Sequence, residues 1–227
     1  TPLYSSAASD VYKRQVTILM AKVYTPHGRN VPPRGEEFET PGFLPVTPAL
    51  ISVLDTETGI PNIMPSVGWG SLNRLPFYLG VAVNVQEITG DYFKRGTHEL
   101  LIRSCDFALN VPTDRVREAV SACGKLSRAK DTQIDKFKET GLTPLPGKRI
   151  RSPHIAECPI NYECKIREVV SMGSHDLFLG EVVGCFTDGV VQPGRSSTKG
   201  HSRIELVRDD GGTTVLEFQG MVHHVSE

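Results

Sequence analysis

Charge of one sign is missing from this chain: 25 Lys and Arg stand against 26 Asp and Glu, for a net charge of -1. Without a basic excess able to follow a phosphate backbone, nucleic acid is not an expected partner. Long apolar runs are missing too. No stretch approaches the roughly 18 residues that a membrane helix needs, and no secretory pattern is present. The expectation is a cytoplasmic protein with no membrane partner. Aromatics are sparse at 7%, and Trp69 is the single tryptophan. The five cysteines (Cys105, Cys123, Cys158, Cys164 and Cys185) make an odd count, whereas a disulfide framework favours an even one. Cys158-x5-Cys164 lacks the two-residue gap of a zinc knuckle, so the cysteines are expected to be small buried thiols, with no metal site. Several chemical signatures are absent as well. Gly68-Trp69-Gly70 has neither the third glycine nor the helix context of a dinucleotide fingerprint, and no P-loop, GxSxG or HExxH occurs.

What is present reads mainly as strands. Residues 1–19 are expected to be a non-native or disordered extension, because Thr1 to Gln15 shows no periodicity and Met20 opens a more natural beginning; residues 20–227 are expected to form a single domain. Pro32-Pro33, Pro41-Gly42 and Pro45 mark an irregular approach. Ala49 to Leu54 is β-rich and stops at the polar turn Asp55 to Gly59, and Ile60 to Trp69 extends again despite Pro61 and Pro65. Phe77 to Val85 is a further apolar strand. A helix is expected over Thr97 to Ser104 with Thr97 as N-cap. A short strand over Asp106 to Val111 precedes a second helix, capped by Thr113, carrying Val116, Ala119, Val120 and Cys123 at helical spacing and ended by Gly124. The clearest alternation is Ile160, Tyr162, Cys164 and Ile166 against polar neighbours. Ser171 to Ser174 turns the chain into Asp176 to Phe186. Gln192 to Gly200 reads as a polar loop, and Ile204 to Val207 with Val215 to Phe218 as a last hairpin. Regularly spaced strands with turn chemistry point to a barrel rather than a parallel sheet.

Composition and period go no further; ordered motifs do. Pro61-Asn62-Ile63-Met64 is followed by Trp69-Gly70, Asn73-Arg74-Leu75-Pro76 and Thr97-His98-Glu99-Leu100. Next come Phe107-Ala108-Leu109-Asn110-Val111-Pro112, Cys123-Gly124, Ser127, Asp135-Lys136-Phe137 and Thr140-Gly141-Leu142-Thr143. Glu157-Cys158-Pro159, Glu163-Cys164, Gly173-Ser174-His175-Asp176 and Gly180-Glu181-Val182-Val183 close the series. In this order, over about residues 40–188, the sequence resembles the flavin reductase-like, FMN-binding split-barrel proteins, and among them the flavoredoxin branch.

The resemblance implies a mainly β fold, a Greek-key split barrel of the six-stranded type with a few short helices, holding FMN non-covalently. It implies an oxidoreductase, NAD(P)H-dependent as a flavin reductase; the other readings are a flavoredoxin-type carrier taking electrons from a redox partner protein, and a non-enzymatic flavin-binding module. It also implies a homodimer. The cofactor-binding residues it points to are Asn62, Ile63, Met64, Pro65, Ser66 and Trp69 for the flavin ring, Thr97, Ser127 and Lys136 for the phosphate end, and His175 approaching the flavin. No residue is assigned a catalytic role.

The residues themselves suit these roles without compelling them. A ring pocket needs an apolar wall and a few placed polar groups, yet Trp69 would serve equally as a core filler. Thr97 at a helix N-terminus suits an anion and equally a plain cap. Lys136 can meet phosphate by charge-assisted hydrogen bonds or simply be a solvated charge, and His175 can be an ordinary turn residue. The sequence departs from the family pattern by lengthening Asn62–Trp69 and Arg128–Ile134, and by an insertion over Val85–Gly96 whose Lys94-Arg95 pair could replace a phosphate-binding arginine.

Overall fold

The computed structural model describes residues 47–85, 94–191, 203–219 and 222–226, all within the compact unit Pro45–Glu227. The expectations for residues 1–19, for the prolines at 32, 33, 41 and 45, for the middle of the 85–96 insertion and for the 192–200 loop lie outside these residues.

Strands dominate. In chain order they are β1 (Ala49–Leu54), β2 (Pro61–Ser66), β3 (Trp69–Arg74), β4 (Phe77–Asn84), β5 (Asp106–Val111), β6 (Pro144–Leu145), β7 (His154–Ile155), β8 (Ile160–Ser171), β9 (His175–Thr187), β10 (Val190–Val191), β11 (Arg203–Val207), β12 (Thr213–Gln219) and β13 (Val222–Ser226). Among the described residues three α-helices interrupt them: α1 (Gly96–Ser104), α2 (Arg117–Lys125) and α3 (Lys136–Thr140). Seven strands form one antiparallel sheet in the order β2-β1-β5-β8-β9-β4-β3, and β10 to β13 form a second in chain order. Met64 from one end of the seven-stranded sheet and Trp69 from the other pack on the same core cluster, which requires the sheet to curl around it.

β1 explains why this curl was hard to see. Ala49, Ile51 and Val53 face the main core, while Leu50 faces a smaller cluster with Ile63, Phe137, Cys158 and Ile155. A strand buried on both faces loses its apolar–polar alternation. On β9, Gly180 is small because it must be: a Cβ there would stand 2.6 Å from the fully buried ring of Phe107. Buried polar groups tie the long 146–153 segment to β5. The Asp106 carboxylate accepts from the Ser104 and Ser152 hydroxyls and the Arg151 and Ser152 N–H groups. Asn110 donates to the Leu50 carbonyl and accepts from the Ile155 N–H and from Asn161.

Two boundary expectations are corrected. Thr97 is not the N-cap of α1; Arg95 is, with no side-chain cap, and Thr97 lies inside the first turn. Thr113 does not cap α2 either: its hydroxyl is buried without a partner, a single 3-10 turn (Asp114–Val116) follows it, and α2 runs through Gly124 to end before Leu126. The cysteines are free, as expected, but only Cys123, Cys158 and Cys164 are buried; Cys105 and Cys185 are exposed.

Candidate functional site

The site grows from the edge of the sheet. β2 is the last strand, and its Asn62 pairs with Val53 while Ile63 turns its carbonyl away from β1. That free carbonyl accepts a hydrogen bond from Lys136 Nζ at 2.9 Å, and the Cys123 carbonyl accepts a second at 3.3 Å. Asp135 caps α3 by accepting from the Phe137 and Lys138 N–H groups, which fixes Lys136 in the first turn, pointing inward. Lys136 is only 4% exposed and has no carboxylate beside it among the described residues. Burial pushes its ammonium down to about 8, and the nearby Arg95 and Arg128 charges push the same way.

Around Lys136 lies a small cleft of about 50 Å³, open to solvent on one side, lined by Met64, Pro65, Arg95, Gly96, Thr97, Cys123, Gly124, Leu126, Ser127, Arg128 and Lys136. Among the described residues its wall holds three cations and no acid. Arg128 is compensated: its guanidinium donates to Asp55 Oδ2 at 2.7 Å in a pair buried on both sides, and also to the Ile134 carbonyl. Burial alone would raise the Asp55 carboxyl. Hydrogen bonds from the Glu57 N–H and the Thr58 hydroxyl, with the charges of Arg103 and Arg128, hold it below its ordinary value instead. Among the described residues neither Arg95 nor Lys136 has a carboxylate partner; Lys94, not Arg95, pairs with Glu99.

The uncapped start of α1 adds its free N–H groups to this wall. Gly96 makes the geometry possible. A Cβ there would stand 2.8 Å from the Ala129 nitrogen, so the 128–130 turn could not otherwise lie against the helix start. Cations, free N–H groups and two hydroxyls converging on a water-limited cleft make an anion cradle.

The cleft thus unites Met64, Pro65, Thr97, Ser127 and Lys136 of the residues expected from sequence. Asn62 stands behind the wall, fully buried, its amide donating to Thr97 Oγ1 at 2.9 Å. Ile63 offers its carbonyl to Lys136 while its side chain joins the smaller core cluster. Ser66 is buried opposite Ala49 at the end of β2, outside the lining. Trp69 is not a wall of this cleft: it starts β3, packs on the main core and donates its indole N–H to the Thr47 carbonyl at 2.8 Å. His175 is not in the turn but is the first residue of β9, facing Asn84. Its Nδ1 is 2.9 Å from Ser174 Oγ, and burial, then the Arg95 charge, pushes its pKa down. Arg95 therefore links His175 to the cleft.

Sequence reading did not find Arg128 or its partner Asp55, separated by 73 positions with no local signal. It also missed His98, whose Nε2 lies 2.9 Å from Asp176 Oδ2 and whose ring packs edge-on against Phe178, fastening α1 to β9. Among the described residues, no cluster of His, Cys, Asp and Glu could hold a metal, and no helix is long and apolar enough to cross a membrane.

Solved structures share this fold at low identity. An FMN-binding protein from Thermus thermophilus with bound 1-cyclohex-2-enone superposes with a TM-score of 0.59 at 22% identity, covering 85% of this chain and 96% of that one. Flavoredoxin of Desulfovibrio vulgaris (Miyazaki F) gives 0.56 at 18%, covering 89% and 94%. The Streptomyces globisporus NADH:FAD oxidoreductase gives 0.53 at 20%, covering 63% and 76%. In sequence, an uncharacterised Archaeoglobus fulgidus protein is 33% identical over 123 residues, 54% of this chain, and one from Pyrococcus abyssi is 30% identical over 122 residues. The chain spans 63% of the length of each of these two relatives. The flavin reductase like domain family matches residues 43–197, over the cleft and the sheet that carries it. The chain belongs to the flavin reductase-like family of split-barrel fold.

Proposed function

We propose that this chain binds one FMN non-covalently in the cleft and works as an NAD(P)H-dependent flavin reductase-type oxidoreductase. The observation that carries the reading is the uncompensated Lys136 beside the uncapped N-terminus of α1, in a cleft wall with no acid. That donor set suits a dianionic phosphate. The enclosed part of the cleft, about 50 Å³, is far smaller than a whole cofactor site, so it would take the phosphate end alone. Lys136, Arg95, Thr97, Ser127 and the first N–H groups of α1 would hold the phosphate end. Met64 and Pro65 would supply an apolar edge, with Asn62 and Ile63 supporting from behind. Ser66, Trp69 and His175 lie outside the lining of the cleft.

Bound flavin would supply two-electron hydride chemistry; the chain's part is binding, orientation and charge. Lys136 supplies positive charge in a site where burial keeps that charge weakly screened. The same fold serves proteins called flavoredoxin and NADH:FAD oxidoreductase, so the electron donor must be tested directly. The purified protein should be yellow and should release FMN, not FAD, on heating; a colourless protein that takes up no FMN defeats the reading. Anaerobic mixing with NADH and NADPH should bleach the flavin. If neither donor bleaches it while a protein donor does, the chain is an electron carrier; if nothing reduces it, the chain is a binding module.

We also propose a homodimer. Leu72 and Leu177 meet over Gly80 on the outer face of β3, β4 and β9, and Val170 lies opposite Leu177 on β8. Leu72 is 54% exposed, and such an apolar row suits a second copy.

A further inference from the structure

Asn62 is an odd residue to bury. It is 0% exposed, and its Oδ1 has no hydrogen-bond partner, so an apolar side chain of similar size would meet the burial requirement more cheaply. Its other end is fully used: Nδ2 donates to Thr97 Oγ1 at 2.9 Å. Thr97 is 3% exposed and lines the cleft, and among the described residues its hydroxyl donates to no group. A hydroxyl has one proton and two lone pairs. With a lone pair occupied by the Asn62 amide, the proton is turned toward the remaining open direction, the cleft. In the reverse arrangement, an acid at position 62 would draw that proton inward and present lone pairs to an incoming anion.

We infer that Asn62 is a positioning residue that fixes the Thr97 hydroxyl as a donor to the phosphate group of the bound ligand. This rests on the FMN reading of the cleft and extends it to a residue that does not touch the ligand. Asn62 and Thr97 are 35 positions apart, on β2 and α1, so the hydrogen bond also sets the distance of the helix start from the sheet edge. Thr97 then joins the wall as a prealigned donor, which spares the ligand the cost of ordering it.

The test is a double-mutant cycle read by flavin fluorescence quenching on the full chain, with FMN and with riboflavin, which lacks the phosphate. Asn62→Leu should weaken FMN about tenfold, in keeping with one hydrogen bond to a charged group, and should leave riboflavin unchanged. Thr97→Val should do the same, Thr97→Ser should retain wild-type affinity, and Asn62→Leu added to Thr97→Val should cost nothing more. Thermal melts establish that each variant is folded, and Asn62→Ala replaces Asn62→Leu if the latter is not. Equal losses from Asn62→Leu in both Thr97 backgrounds, equal losses for FMN and riboflavin, or no loss at all would overturn the inference while leaving FMN binding intact. A wild-type protein that binds neither flavin would overturn the FMN reading and this inference together.

Discussion

Lys136 is the residue on which the site's pH behaviour turns. Its ammonium is held at about 8 by burial, whereas an unfolded lysine stays protonated to about 10.4. A bound phosphate needs the charged form, so FMN affinity should fall as pH rises through about 8, by up to about tenfold per unit. Lys136→Met should bind weakly at every pH and show no such slope; isothermal titration across pH 6 to 9.5 measures both. Stability of the unliganded protein runs the other way. Between about 8 and the unfolded value the unfolded chain holds the extra proton, so Lys136 makes stability rise with pH there. Asp55 gives a slope of the same sign in a lower window, although there it is the charged form that the fold stabilises. Its folded pKa is depressed, so its contribution is present above the unfolded value near 3.9 and is lost as pH falls through the folded one. Asp55→Asn leaves Arg128 buried without its counter-ion and should cost about 3 kcal/mol in urea denaturation. Lys136 was legible in the sequence only through its place in the motif series, since a lone lysine carries no local mark of burial. Arg128 and Asp55 were not legible at all, because nothing at either position announces a contact across 73 residues.

At the scale of the element, most strands could be read directly. β1 and β5 match their expected bounds, and β4, β8 and β9 match to within a residue or a few. The helix starts could not be read. Thr97 and Thr113 have the side chains of N-caps, yet Arg95 and Val116 occupy those positions, because Thr97 is drawn to Asn62 and Thr113 precedes a 3-10 turn. At Thr97 local preference lost to a tertiary contact. Two glycines at the cleft give contrasting predictions. Gly96→Ala would place a Cβ 2.8 Å from the backbone of the 128–130 turn and should cost about 1–3 kcal/mol, with weaker FMN binding. Gly124→Ala meets only Pro65, at 3.7 Å, inside α2, and should stabilise by up to about 1 kcal/mol. Paired denaturation curves would separate them; equal effects would mean that the turn does not bear on the helix start.

For the molecule as a whole, light scattering coupled to gel filtration should give twice the mass of the chain, and Leu72→Glu should return it to one by placing a charge in the apolar row. A wild-type monomer would dismiss the dimer. The way two copies meet is restricted by the prolines of β2. Val53 and Asp55 turn their backbone groups toward β2, and the Asp55 N–H reaches the Ile60 carbonyl, so positions 61, 63 and 65 point away from the sheet. Two of those three are prolines with no N–H to give, and the Ile63 carbonyl between them is taken by Lys136. This margin cannot template another chain, so growth of one sheet into the next through β2, the usual opening step of fibre formation, is blocked there. Replacing Pro61, which lies outside the cleft lining, with threonine should therefore reveal itself first in storage, as slow concentration-dependent precipitation, while ligand binding in the cleft persists.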